Sequence, residues 1–164
     1  MPSLMRHINL ISRCSTLFRS DKLRDTDLGE NQSSYILCVC RFPGISQDGL
    51  SRRLCINKSN VTRNLASLEA SGYVTRRQSD TDRRVTLVYP TEKAMEALPH
   101  IREVAREWNA YLTEGFTEEE TEQFRAMLEK MSARAVEYAN FSDEALHDLD
   151  GDVVPPAGNG GNKE

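Results

Sequence analysis

The 164-residue sequence has no apolar run approaching the 18 or so residues that a membrane-spanning helix needs. Its first residues, Met1 to His7, offer no apolar stretch followed by a small-residue cleavage site, and Arg13 and Arg19 follow soon after. A secretory signal is therefore not expected, and a cytoplasmic protein is. Histidine is scarce: His7, His100 and His147 stand far apart. The four cysteines are Cys14, Cys38, Cys40 and Cys55. Cys38 and Cys40, two apart on a predicted helix, point about 200° apart around its axis and cannot chelate one ion together. No metal site and no cofactor is expected, and the thiols should be reduced. There is no phosphate loop and no nucleophile–base pair that would make an enzyme of Cys14 or His7. Internal repeats are absent as well.

What is present is an ordinary globular composition, 38% hydrophobic and 28% charged, enough for one domain with a real core. The net charge of −4 hides a split. Between Ser46 and Thr91 lie eight basic and four acidic residues, a net of +4, whereas the remainder carries −8. That segregation predicts a basic face on an acidic body.

Hydrophobic spacing divides the chain. Leu4, Ile8, Ile11, Cys14, Leu17 and Phe18 recur at helical intervals and predict a first helix over 4–20. Asn31 is the expected N-cap of a second helix reaching Phe42, stopped by Pro43-Gly44. Ser46 caps a short third helix that ends near Cys55, with Leu50 and Leu54 inward. Asn57 caps a fourth, with Val61, Leu65 and Leu68 inward and Ser71-Gly72 as its stop. The period then changes to that of strands at 73–77 and 85–89, separated by a turn-rich tip, which is a β-hairpin. Thr91 opens a long fifth helix through Leu112, in which Pro99 should cause a kink. Thr117 and Glu120 form a capping box for a sixth, to about Asn140. From Ser142 the chain carries six acidic residues, one lysine and a Gly/Pro-rich end, and a disordered acidic tail is expected over 142–164.

The third and fourth helices with their short turn form a helix-turn-helix, and the hairpin after them makes it winged. The fold class is thus mainly α (α+β), a winged helix-turn-helix between long N- and C-terminal helices. Lys58, Ser59, Asn60, Thr62, Arg63 and Asn64 crowd the exposed first turns of the fourth helix. These are side-chain types that hydrogen-bond base edges and phosphates; a merely solvated helix face is the competing reading. Arg76 and Arg77 are either phosphate contacts or solvated strand charges. Asp82, Arg83 and Arg84 stand at the wing tip.

The stretches Leu50 to Leu54, Ser59 to Arg63, Leu68 to Val74 and Asp82-Arg83-Arg84 give the chain its resemblance to the MarR family of bacterial transcriptional regulators, running from Leu10 to Tyr138. Asp82 and Arg84 match the family's Asp-x-Arg wing motif, while Tyr89-Pro90-Thr91 departs slightly from the strand end. The resemblance implies a homodimer joined by the first, fifth and sixth helices, bound to pseudo-palindromic double-stranded DNA as a repressor. The fourth helix would enter the major groove. Arg84 would enter the minor groove, held by Asp82, where a narrow groove concentrates negative potential. It divides the chain into an N-terminal dimerisation helix and connection (1–30), a winged helix-turn-helix (31–91), C-terminal dimerisation helices (92–141) and the tail. It also implies a small aromatic or anionic effector between the dimer helices and the winged helix, for which His7, Ile11, Arg13, Cys14 and Arg41 are the candidates. Cys14 is read as a core thiol in preference to an oxidant sensor. The alternative function is a winged-helix protein-interaction module with no operator of its own.

Overall fold

A computed structural model of the chain describes residues 3–29, 31–141 and 143–146. In chain order these form α1 (Leu4–Lys22), α2 (Gln32–Arg41), β1 (Ile45–Ser46), α3 (Gln47–Leu54), α4 (Lys58–Ala70), β2 (Val74–Gln78), β3 (Thr86–Pro90), α5 (Glu92–Leu112), α6 (Glu118–Tyr138) and a 3-10 turn, Asp143–Leu146.

Local chemistry sets most of these boundaries. The first amides of a helix have no intrahelical acceptor, and a side-chain oxygen just before the helix supplies one. Ser46 accepts from the Gly49 amide at 3.0 Å and Asn57 from the Asn60 amide at 2.9 Å. Thr91 accepts from the Ala94 amide at 3.3 Å. At α6 the capping box is complete, with Thr117 accepting from Glu120 at 3.1 Å and Glu120 accepting from Thr117 at 2.8 Å. Asn31 departs from expectation. Its backbone is left-handed at φ +62 and its side chain caps nothing. The Asn31 Oδ1 instead lies 3.3 Å from the Arg19 guanidinium, and the Gln32 carbonyl oxygen Oε1 accepts the Gly29 amide at 2.8 Å. The competing partner, Arg19, comes from another helix and is invisible to a local rule.

The core lies where α2, α3, α4, α5 and the sheet meet. Tyr35, Ile36, Val39, Leu50, Val61, Leu65, Leu68, Val74, Val88 and Val104 are all essentially inaccessible. Each such large aliphatic side chain contributes about 1.5–3 kcal/mol by leaving water, which is why the helical stripes of α3 and α4 hold their rotational setting. The sheet is antiparallel in the order β1-β3-β2. In the wing hairpin Val74 lies opposite Pro90 and Gln78 opposite Thr86, so both strands sit one residue later than predicted. The edge pair β1, with Ile45 opposite Val88, was not anticipated. Gly44 makes it possible: at φ +82 its amide donates to Val88 O at 2.8 Å, and Tyr89 packs 3.2 Å from where a Cβ would stand. Helix α5 continues through Pro99 from Glu92 to Leu112.

The outer helices are different. No residue of α1 is buried, and Val136 is the one buried residue of α6. Leu10, Leu17, Tyr111, Phe116, Phe124 and Met127 are all exposed. Cys14, expected in the core, is exposed too, because the apolar stripe of α1 faces outward beside α5. The 3-10 turn at 143–146 packs beside α3 and α6, so the segment expected to be disordered is ordered over these four residues. The rest of that expectation, at 142 and 147–164, lies outside the described residues.

Candidate nucleic-acid interface

The helix-turn-helix turn is built by three residues. Cys55 ends α3 in the left-handed conformation (φ 51), the Ser51 hydroxyl donates to Ile56 O at 2.6 Å, and Asn57 starts α4. These contacts set the angle at which α4 leaves α3, with Val61, Leu65 and Leu68 turned into the core. The 3.6-residue period then fixes what faces outward. Lys58, Ser59, Thr62 and Arg63 are exposed, and Asn60 is half-buried. Lys58 pairs with Asp48 of α3 at 2.9 Å. Ser59 donates to Asn57 Oδ1 at 2.9 Å, and Arg63 donates to Asn60 Oδ1 at 2.5 Å. The Arg63 guanidinium is thereby oriented along the outer face. Asn64 turns inward: it is half-buried, and its Nδ2 donates to Asn60 O at 2.9 Å. It stands beside the Tyr35 hydroxyl, whose pKa burial raises and Asn64 and Arg63 oppose.

The wing separates four arginines that look alike in sequence. At the tip, Asp82 Oδ1 accepts both the Arg84 amide at 3.0 Å and Nε at 3.2 Å. These bonds, the amide first, hold the Asp82 carboxyl below the usual carboxylate range. Arg84 remains 91% exposed, so the clamp orients the guanidinium without burying it. Arg83 is exposed beside it. Arg77 lies 5.5 Å above the Tyr89 ring, also exposed. Arg76, on the opposite face of β2, is drawn to Glu69 of α4, with Nε to Oε2 at 2.9 Å, and is only 25% exposed. Glu69 was not singled out from the sequence. A carboxylate seven residues before an arginine, across a helix-to-strand boundary, has no recognisable local spacing.

Of the five effector candidates, the described residues bring only Ile11 and Cys14 together. They line an open apolar groove of about 660 Å³ between α1 and α5, with Leu10, Leu17, Phe18, Trp108, Tyr111 and Leu112. His7 and Arg13 stand exposed on α1. Arg41 ends α2, with its guanidinium 6.0 Å from the Phe42 ring. Cys38 and Cys40 are buried, which pushes their thiols up to about 12 and about 11. Among the described residues no cluster of three potential metal ligands occurs, and no helix is long and apolar enough to cross a membrane.

The sequence pattern of the MarR family matches residues 28–86. The HTH-type transcriptional regulator YybA of Bacillus subtilis (strain 168) is 25% identical over 131 residues, covering 80% of this chain and 87% of YybA. A crystal structure of MarR superposes with a TM-score of 0.76 at 30% identity, over 84% of this chain and 94% of that one. A Listeria monocytogenes regulator assigned to the same family, solved with a 26mer DNA, superposes with a TM-score of 0.80 at 26% identity, over 85% of this chain and 93% of that one.

Proposed function

The chain belongs to the MarR family of transcriptional regulators and is a DNA-binding regulator, and from that premise we propose that it acts as a homodimeric repressor of a pseudo-palindromic operator. One observation carries the reading. The exposed polar face of α4 and the exposed, carboxylate-oriented Arg84 belong to one winged unit, the first suited to a major groove and the second to a minor groove. Lys58, Ser59, Asn60, Thr62 and Arg63 are the proposed major-groove and flanking phosphate contacts. Arg77, Arg83 and Arg84 are those of the wing. Asn64 supports α4 from within.

The outer helices support the dimer. A monomer would leave Leu10, Leu17, Tyr111, Phe124 and Met127 in water, and an apolar patch of that extent marks an association surface. A two-fold dimer through α1, α5 and α6 covers it and makes each contact twice. It carries two copies of α4, matching half-sites one helical turn, about 34–36 Å, apart. A small aromatic acid at the seam between these helices and the winged unit would favour one separation of the two α4 helices. If DNA favours the other, each ligand weakens the other by the same factor.

The test is selection of a duplex from a random-sequence library, followed by titration at several salt concentrations. A palindromic consensus, a steep salt dependence and a stoichiometry of two chains per duplex are expected. Failure to enrich any sequence would favour the protein-interaction reading. Adding salicylate to the titration tests ligand response, and an operator–reporter fusion tests the sign of regulation.

A further inference from the structure

Helix α4 ends at Ala70 and β2 begins at Val74, so a very short elbow joins the recognition helix to the wing. Gly72 turns the chain there at φ +76, and a Cβ added to it would meet nothing within 4 Å. Gly72 stands in open space, while the next two residues, Tyr73 and Val74, are buried and anchor the base of β2 in the core.

Two sets of bonds add to that anchor. From the α5 side, the Thr91 hydroxyl lies 2.7 Å from Gly72 O and 2.9 Å from Tyr73 O, and Lys93 Nζ donates to Ser71 O at 2.8 Å. These brace the elbow backbone. On the other side, Glu69 in the last turn of α4 spans the joint. Its Oε1 accepts the Arg76 backbone amide at 3.1 Å, and its Oε2 accepts Arg76 Nε at 2.9 Å and Nη2 at 2.5 Å.

The register explains why the amide is free to be taken. Strand β2 is an edge, paired on one side only with β3, and Arg76 lies opposite Val88. Antiparallel residues alternate between hydrogen-bonded and non-hydrogen-bonded pairs. The Ser79 amide bonds Val85 O in the wing, while Val88 O accepts from Gly44 on the other strand edge. Arg76 is therefore at a non-bonded position, with its amide facing the open edge. Glu69 holds a backbone atom of the wing as well as a side chain, so it constrains where the strand lies.

We infer that Glu69 and Arg76 form a strut that fixes the wing relative to the recognition helix, making them positioning residues for operator binding and not DNA contacts. This rests on the DNA-binding reading of α4 and Arg84. Both arginines give Nε and Nη2 to a carboxylate, but Arg84 is 91% exposed at the wing tip and can meet a phosphate-lined groove, whereas Arg76 is 25% exposed against α4. Without the strut the part of the wing beyond its buried base samples more elevations, and binding must select the one that places Arg84 in the groove beside α4.

The experiment is a double-mutant cycle on the full chain, titrated at fixed salt against the library-selected duplex. Arg84→Ala should weaken binding about tenfold or more, and Glu69→Gln about fivefold. A strut acts through the wing tip, so the double variant should bind no more weakly than Arg84→Ala alone. Losses that multiply instead would overturn the strut, because they would mean that Glu69 acts independently of Arg84, the contact the strut is inferred to place. Should Glu69→Gln lower the melting temperature markedly, Arg76→Gln, which leaves Glu69 its bond to the residue-76 amide, is cycled with Arg84→Ala in its place. A double variant no weaker than Arg84→Ala supports a strut; losses that multiply show a separate DNA contact by Arg76 and overturn it. If Glu69→Gln binds like wild type while Arg84→Ala is weakened, the strut fails and the DNA reading stands. If Arg84→Ala also binds like wild type, the wing reading itself falls.

Discussion

Leu17 offers a direct test of the proposed dimer. It lies on α1, lines the groove with Phe18 and Trp108, and is 72% exposed in the single chain. It takes no part in the core, so shortening it leaves the protomer fold untouched. Burying a whole leucine side chain is worth about 1.5–3 kcal/mol, and the exposed fraction of Leu17 would gain about 1–2 kcal/mol on being covered. Alanine keeps part of that area, so Leu17→Ala forfeits about 1 kcal/mol per protomer. Two-fold symmetry counts the loss twice, giving about 2 kcal/mol per dimer, or about 30-fold in the dimer dissociation constant. Sedimentation velocity across a concentration series of wild type and variant measures that ratio, with melting of the dilute protein as the control for fold. Equal dissociation constants would remove Leu17 from the interface. A wild-type chain that stays monomeric at micromolar concentration would refute the dimer altogether.

Four further outcomes are expected. Arg84→Ala should weaken operator binding about tenfold or more, with an unchanged melting temperature because the side chain is 91% exposed; a titration and a thermal melt check both halves. Asn57→Ala removes the acceptor for the Asn60 amide at the start of α4 and should cost about 1 kcal/mol in denaturant unfolding. Titration of the native protein with a disulfide reagent at pH 8 should modify Cys55 and spare Cys38 and Cys40, whose thiols burial pushes to about 12 and about 11; rapid reaction of Cys38 or Cys40 would contradict the core. Arg76 holds the Glu69 carboxyl below its ordinary value through side-chain hydrogen bonds first, against a smaller opposing desolvation. A depressed carboxylate contributes stability that is present above its unfolded pKa and lost as pH falls through the folded value. Acid unfolding curves of wild type and Glu69→Gln should therefore converge below the carboxylate range and separate above it.

How much was legible in the sequence depended on the range of the interaction. Helix starts at Ser46, Asn57, Thr91 and Thr117 were readable because a cap is a contact between residues three apart. The inward stripes of α3 and α4 were readable because the helical period places Leu50, Val61, Leu65 and Leu68 on one face whatever they pack against. The basic character of the winged unit was a count. The wing motif was readable too, since Asp82 and Arg84 are two apart in a tight turn, where the Asp side chain reaches the amide two residues on and the pair meets without help from the rest of the fold.

What only the tertiary structure decided involves partners distant along the chain or a choice between faces. Arg19 reaches Asn31 from another helix, and the expected cap is lost. Two residues become β1 because β3 passes beside them and Gly44 permits the turn. The apolar stripe of α1 predicts burial, but periodicity does not say against what, and Cys14 faces an open groove instead of the protomer core. Arg76 and Arg77 are adjacent and chemically identical. Strand alternation sends them to opposite faces, and only the placement of Glu69 and Tyr89 in space makes one a brace within the protein and leaves the other on its surface.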